Sequence, residues 1–310
     1  TTINGSELLS KNGDIEVDAV RIISSSITAL DPDVAGVGIV NVEAEEIVGS
    51  DIFAENDILL DVYEIENSTL TAYNTIDLTA EYVDNVNVFA NKGITAEITE
   101  ELYGGEWTVY DGDITVDAYM ISGTEFTAWG KVDLATDQFI INAGVAALAG
   151  EAVLAAGTDI IGTTVTSNDN STLTATAGLI SGTTVTAGEA AILSAAAGMI
   201  SGSTVAAGTT ADLTAQLIAD TGVVANGNIT TSGSLANSSL ATRANITISN
   251  ASLIDNLAAT SIGTITATTA IGAITAGSLI SGGATTVSAV SIHGTSFDAA
   301  TAELTASSDI

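Results

Sequence analysis

A tandem repeat of about 20 residues constrains this chain more than any other feature of its sequence. Between Asp159 and Ile218, three consecutive blocks of 20 residues read DIIGTTVTSNDNSTLTATAG, LISGTTVTAGEAAILSAAAG and MISGSTVAAGTTADLTAQLI. The second and third blocks agree at 10 of their 20 positions. Repeats of this length are typical of solenoids, in which each coil buries its apolar face only by stacking on its neighbours.

Two apolar positions define the repeat: an anchor, such as Ile180, and a partner five residues later, such as Val185. A third apolar residue, here Leu193, follows thirteen residues after the anchor. The anchors are Ile3, Ile22, Ile47, Ile65, Val83, Leu102, Ile121, Ile140, Ile160, Ile180, Ile200, Ile218, Leu235, Ile254 and Ile292. Their partners are Leu8, Ile27, Ile52, Leu70, Val88, Trp107, Phe126, Val145, Val165, Val185, Val205, Val223, Leu240, Ala259 and Phe297.

The steps between anchors are mostly 17 to 20 residues long, with two exceptions. The step from Ile22 to Ile47 contains the only proline, in the sequence LDPD, and predicts an inserted loop. The gap of 38 residues between Ile254 and Ile292 has room for two coils, but the pattern there does not locate the anchor between them. The sequence therefore predicts about sixteen coils.

Within a coil, apolar and polar residues alternate as a β-strand requires. Val185 and Ala187 share one face, while Thr184 and Thr186 share the other. Gly182 and Gly188 lie where the chain has to turn. Three short strands per coil are expected, and no helix, because Ser, Thr, Gly and β-branched residues dominate. The predicted fold is an all-β, single-stranded parallel β-helix, and sixteen coils at about 4.8 Å each would extend roughly 75 Å.

We expect one continuous solenoid over residues 1–310 with two surface characters. Residues 1–150 carry 28 of the 38 acidic residues, both tryptophans and all six tyrosines, whereas residues 151–310 are rich in Ala, Thr, Ser and Gly. The net charge of −33 disfavours nucleic acid as a partner. Membrane insertion is not expected either, because Asn142 and Glu151 interrupt the most apolar run, from Phe139 to Thr158, and that run is in phase with the repeat.

The repeat resembles a known family. The units ISGTEFTAWGKVDLAT from Ile121, ISGTTVTAGEAAILSA from Ile180 and IHGTSFDAATAELTA from Ile292 are similar to the 19- to 20-residue haemagglutinin repeats of filamentous haemagglutinin-like exoproteins. The resemblance covers most of the chain at the level of the repeat. It implies a right-handed parallel β-helix that is secreted to a bacterial surface, where it acts as an adhesin or fibre. An extracellular or cell-surface location is therefore expected.

No catalytic residue is predicted. A polysaccharide-active enzyme is the less favoured alternative, because the chain has only two arginines, Arg21 and Arg243, and one histidine, His293, which is expected to point outward. No bound cofactor is predicted; calcium is the one candidate ion, with Asp31 and Asp33 in LDPD, and Asp111 and Asp113 in DGD, as candidate ligands.

The first and last stretches, TTINGSELLS and LTASSDI, already have the sequence of coils and carry no recognisable cap. We therefore expect a non-enzymatic structural protein whose end coils stack head to tail on further copies, because an open heterologous contact propagates into a filament. The alternative is the stalk or passenger segment of a secreted adhesin, with its binding residues among the exposed aromatic and acidic positions of residues 53–130. Its partners would then be cell-surface or matrix components.

Overall fold

The predicted fold class is confirmed. A computed structural model describes residues 1–30 and 37–309, and these form an all-β parallel β-solenoid of about sixteen turns without a helix. The inserted loop predicted around LDPD includes residues 31–36, which lie outside the described residues.

The chain divides into two compact units, Thr1–Leu154 and Ala155–Ile310. The strands of the first unit are β1 (Thr2–Asn4), β2 (Glu7–Ser10), β3 (Ile15–Ile23), β4 (Ser26–Ala29), β5 (Val40–Val48), β6 (Asp51–Ala54), β7 (Ile58–Glu66), β8 (Thr69–Ala72), β9 (Thr75–Asp84), β10 (Asn87–Ala90), β11 (Gly93–Tyr103), β12 (Glu106–Val109), β13 (Asp113–Ser122), β14 (Glu125–Ala128), β15 (Val132–Thr136), β16 (Ile140–Ile141) and β17 (Gly144–Ala147).

The unit boundary falls within β18 (Ala152–Ala156). The strands of the second unit are β19 (Ile160–Ile161), β20 (Thr164–Ser167), β21 (Ser171–Ala175), β22 (Ile180–Ser181), β23 (Thr184–Ala187), β24 (Ala191–Ser201), β25 (Thr204–Ala207), β26 (Ala211–Ala219), β27 (Gly222–Ala225), β28 (Ile229–Ala236), β29 (Ser239–Thr242), β30 (Ile246–Asp255), β31 (Ala258–Ser261), β32 (Ile265–Thr275), β33 (Ser278–His293) and β34 (Ser296–Asp309).

The anchors stack on one another as the repeat predicted. In the first unit, for example, Ile47 pairs with Ile65. In the second unit Ile180 pairs with Ile200, and both are fully buried. The anchor that the sequence did not locate is Ile274, which pairs with Ile254 on one side and with Ile292 on the other.

Each coil turns sharply two residues after its anchor, where the backbone is left-handed. Eight glycines and eight other residues adopt positive φ at this position. The glycines include the predicted corner residue Gly182 (φ +62°), whereas five of the remaining eight are asparagines. Glycine and asparagine reach this conformation most easily, which explains their recurrence here. Asn67 and Asn85 also stack, since Asn85 Nδ2 donates to Asn67 Oδ1 at 2.9 Å.

A column of buried hydroxyl groups follows this corner. Ser50 Oγ donates to the carbonyl of Val48 in its own coil (3.0 Å) and accepts from the amide of Ser25 in the preceding coil (3.2 Å). The Ser68 hydroxyl repeats both contacts, with the carbonyl of Glu66 (2.7 Å) and the amide of Ser50 (3.1 Å). The hydroxyl group thereby satisfies a backbone amide at a point where the strands are interrupted.

At the corner after the second strand, carboxylates accept backbone amides of the next coil. Asp57 Oδ1 accepts from Thr75 N at 3.0 Å, and Asp113 Oδ1 accepts from Lys131 N at 2.6 Å. Gly188, also predicted at a turn, lies at this second corner, where a Cβ atom would overlap the carbonyl oxygen of Asn168 in the preceding coil. Close approach of two backbones, rather than positive φ, therefore requires glycine at this position.

The strands differ in one respect from the prediction of three per coil. In most coils the third strand runs into the first strand of the next coil, which gives strands such as β9 and β26. The register shifts inside several of them, for instance between Ile98 and Glu101. A bulge of this kind bends a strand without ending it, so this side of the coil needs no turn residues.

The cores of the two units are filled differently. Trp107 and Phe126 are buried in the first unit with ring centroids 5.8 Å apart. The second unit is lined by small residues, and the predicted inward alanines Ala187, Ala195, Ala207 and Ala215 are all buried. The first unit therefore presents its acids and remaining aromatic residues outward from a bulkier core.

Candidate functional site

The second strand of each coil in the first unit presents one outward face. In β6, β8, β10, β12 and β14, the residues five and seven positions after the anchor are buried, and those four and six positions after it point outward. The eighth position begins the corner, where Tyr73, Tyr110 and Trp129 donate their backbone amides to the preceding coil. The fourth, sixth and eighth positions after the anchor therefore carry the side chains that can contact a ligand.

Five aromatic residues from five consecutive coils occupy this face, and we call them the aromatic stripe: Phe53, Tyr73, Phe89, Tyr110 and Trp129. The two phenylalanines are half-buried at the sixth position of their coils. The other three, at the eighth position, are 58%, 64% and 56% exposed, respectively. The rings of Phe53 and Tyr73 meet edge to face, with centroids 5.4 Å apart.

A shallow cleft opens between the rings of the stripe. Tyr73, Phe89 and Tyr110 form its aromatic walls, and Thr71 and Asn91 add polar groups. Its volume is about 330 Å³. Aromatic rings stabilise a fold when they are buried. Rings that stay exposed beside a few polar groups are therefore typical of a binding surface.

Carboxylates flank the stripe at the fourth position of the coils. Asp51, Glu106 and Glu125 are exposed there, and Glu106 and Glu125 are direct neighbours in the register. The coil after Glu125 has Gly144 at this position, where a Cβ atom would overlap the Glu125 carboxylate. We call these three residues the carboxylate row.

A second acidic surface lies on the strands that carry the anchors. Asp18, Glu43 and Asp61 are stacked in register and line a groove of about 490 Å³ that also contains Glu45 and Glu81. Like charges in register repel one another, so this groove is costly for the fold at neutral pH and attracts cations.

A smaller cleft beside this groove holds a carboxyl group with a perturbed pKa. Burial raises the pKa of Glu64 above its ordinary value, and a hydrogen bond with Glu66 and the charges of Glu66, Glu46 and Asp84 raise it further. Tyr82 lines the same cleft, and burial together with neighbouring acids raises its pKa. Burial is the main cause of both pKa shifts, and crowding of like charges adds to it, since Glu64 lies opposite Glu46 in the register.

Three basic side chains of the first unit, Arg21, Lys92 and Lys131, are paired with neighbouring acids. Arg21 pairs with Glu46 at 2.6 Å. Lys131 contacts both Asp133 (3.0 Å) and Glu151 (3.1 Å), and the hydrogen bond with Asp133 is the main cause of its raised pKa. The pairs Arg21–Glu46 and Lys131–Glu151 join successive coils, and the surface remains strongly acidic.

The candidate calcium ligands fall in two places. Asp31 and Asp33 lie outside the described residues. Asp111 pairs with Lys92, and Asp113 Oδ1 accepts the backbone amide of Lys131 at 2.6 Å. Within residues 1–30 and 37–309, no group of three or more acidic or histidine residues is arranged to hold a metal ion. Calcium binding at these residues stays a prediction.

His293 is exposed, as the sequence predicted. Sequence reasoning placed a binding surface among residues 53–130 but did not single out the aromatic stripe. The signal was present in the offsets from the anchors, because each ring of the stripe is six or eight residues after its anchor. Tyr63, Tyr103 and Tyr119 have other offsets, and they lie on other strands.

The fold defines the chain as a parallel β-solenoid protein with a β-helix repeat. No protein-family model, curated protein or solved structure matches it. Across the described residues, no helix has the length and apolar character needed to cross a membrane.

Proposed function

We propose that this chain is a non-enzymatic structural segment of an extracellular or cell-surface filament, in which the end coil of one copy stacks on the first coil of the next. The observation that carries the proposal is that the inward columns of the repeat reach both edges of the described residues. At the first edge, β1 and β2 pair only with strands of the following coil, and at the last edge β34 pairs only with β33.

The residues at these edges have the same positions in the repeat. Leu8 and Phe297 are both partners five residues after an anchor, and both are half-buried, whereas equivalent residues inside the solenoid are buried. A coil of a second copy would cover them and pair the free backbone groups, as would further coils of the same polypeptide. The resemblance to haemagglutinin repeats also supports an extracellular fibre.

Electron microscopy and sedimentation of the purified chain test this proposal. We expect filaments whose length increases with protein concentration, and an X-ray fibre reflection near 4.8 Å along the axis. Leu8→Asp should abolish assembly because it places a charge in the apolar column, whereas Leu9→Asp, which changes an outward residue that is 45% exposed, should assemble normally. Separate particles at every concentration would contradict the proposal.

A second candidate function is the stalk or passenger segment of an adhesin, and the aromatic stripe favours it. Outward-facing rings on five consecutive coils, three of them exposed, contribute little to the core, so they are better explained by contact with a partner. Binding of the chain to cell-surface or matrix preparations, measured with and without substitutions in the stripe, tests this role. Incubation with a polysaccharide panel, with and without calcium, tests the less favoured enzyme.

A further inference from the structure

We propose that the aromatic stripe binds a linear polysaccharide that carries free amino groups, with the rings packed against the sugar faces and the carboxylate row facing the ammonium groups. This inference rests on the adhesin role proposed above and names the partner of that surface. It does not depend on filament assembly.

The arrangement of the rings favours an extended ligand with a regular repeat. Phe53 and Phe89 occupy the same repeat position two coils apart, and so do Tyr73 and Tyr110. Coils are about 4.8 Å apart, so the rings of each of these pairs are about 10 Å apart along the stripe, and Trp129, at the eighth position of the next coil, follows Tyr110 after about 4.8 Å. A β-linked sugar chain presents apolar C–H faces at regular intervals, and such faces pack on aromatic rings.

A peptide strand fits this surface poorly. Each of the strands β6, β8, β10, β12 and β14 pairs with a neighbouring strand on both sides. The face therefore offers no free strand edge to which a peptide could add by backbone hydrogen bonding. The side chains alone have to provide the contacts, as they do when a ligand lies across a sheet.

Polar groups beside the rings match the hydroxyl groups of a sugar. Thr71 and Asn91 lie in the cleft, and Thr108 takes the sixth position between Phe89 and Thr127 in the register. Hydroxyl and amide groups both donate and accept hydrogen bonds, so they can serve sugar hydroxyls of either orientation. The stripe thus combines apolar and polar contacts along one line.

Charge selects among sugar chains. Residues 1–150 hold 28 acids against Lys11, Arg21, Lys92 and Lys131, so an anionic polysaccharide is repelled. The two lysines nearest the stripe, Lys92 and Lys131, are paired with acids. The carboxylate row is left to face the ligand, and it attracts ammonium groups, which also interact favourably with ring faces.

Titration calorimetry of the full chain with three hexasaccharides tests the proposal. The probes are a β-1,4-linked glucosamine oligomer, its neutral N-acetylated counterpart and an anionic oligogalacturonate. We expect the glucosamine oligomer to bind about five- to tenfold more tightly than the neutral oligomer, and the anionic one not to bind, because charge pairs are partly screened at a surface. Equal binding of all three, or preference for the neutral or anionic probe, would overturn the proposal.

Substitutions separate ring contacts from charge contacts. Tyr110→Ala and Trp129→Ala should each weaken binding of the glucosamine oligomer at least about fivefold, because each ring loses its packing against the sugar. Tyr119→Ala is the matched control, since Tyr119 is also exposed in the same unit but lies on β13. The double variant Glu106→Gln, Glu125→Gln should reduce the preference for the amino sugar and leave binding of the neutral oligomer unchanged.

Circular dichroism establishes that each variant is folded, and sedimentation measures its assembly. Normal assembly of Tyr110→Ala with weakened binding would support the inference independently of the filament proposal. Binding that is unchanged in both ring variants would exclude the stripe, whatever the state of assembly.

Discussion

The left-handed corner of each coil makes a sharp prediction about two glycines of the second unit. Gly202 has φ +58°, and a Cβ atom built there would lie 3.9 Å from its nearest neighbour, the amide nitrogen of Gly182. Gly222 lies at a strand start without positive φ, and a Cβ atom there has no neighbour within 4 Å. Alanine fits at both sites, so the two substitutions differ only in backbone conformation.

The expected effects have opposite signs. An L-residue in the left-handed region costs about 1–2 kcal/mol, and alanine recovers about 0.4–1 kcal/mol by restricting the unfolded chain. Gly202→Ala should therefore lower the free energy of unfolding by about 1 kcal/mol. Gly222→Ala pays no backbone cost and should raise it by about 0.5 kcal/mol.

Denaturant titration followed by circular dichroism measures both variants beside the unchanged chain, and the slope of the transition should be the same in all three. Gly202→Asn provides an additional check, because asparagine tolerates the left-handed region and occupies the same corner in other coils. It should destabilise less than alanine. Destabilisation by Gly222→Ala as large as that by Gly202→Ala would refute the account of the corner.

Three further changes test other parts of the structure by the same titration. Ser50→Ala removes the acceptor for the amide of Ser25 and should lower the free energy of unfolding by about 1–3 kcal/mol. Ser50→Thr keeps the hydroxyl group and should largely retain stability. An equal loss of stability in both variants would contradict the role of the hydroxyl column. Trp107→Ala should cost about 3–5 kcal/mol because it empties a buried site, and the exposed Trp129→Ala serves as its control. Glu64→Gln should raise stability at pH 7 by less than about 1 kcal/mol, the size of an exposed charge interaction. The pKa of Glu64 is higher in the folded state than in the unfolded state, so ionisation of Glu64 destabilises the fold. The gain should decrease as the pH falls through the folded-state pKa and vanish below the ordinary pKa of a glutamate, where both states are protonated; a gain that persists there would exclude this explanation.

The sequence predicts the fold well because every coil repeats the same inward positions, and a register error would move an apolar residue to the surface. The anchor that was not located shows the limit of this reasoning. The run from Ser261 to Gly283 contains several isoleucines, and two of them, Ile262 and Ile271, are 67% and 79% exposed. Only Ile274 has a large apolar residue, Leu279, at the partner position and continues the column.

The strand pattern was less predictable, and so was the candidate site. Whether the third strand ends or bends depends on bulges such as that after Ile98, which have no fixed residue signature in this chain. Whether an outward aromatic residue belongs to the candidate site depends on whether it lies next to the second strand of its coil. Tyr73 and Tyr63 are both exposed tyrosines of the first unit, yet only Tyr73 adjoins the second strand and contacts Phe53. Composition by region could not separate the two.

The distribution of residues across the solenoid separates folding from recognition. Inward columns and corner residues recur in both units because each coil needs them to stack. Outward positions are free of that demand, and where stacking alone selects them, like side chains pair in adjacent coils, as Thr164, Thr184 and Thr204 do. The aromatic stripe follows neither rule, because its rings shift between the sixth and eighth positions and enclose a cleft instead of a continuous stack. Stability does not require that arrangement, so the stripe is the part of this surface most reasonably attributed to a partner.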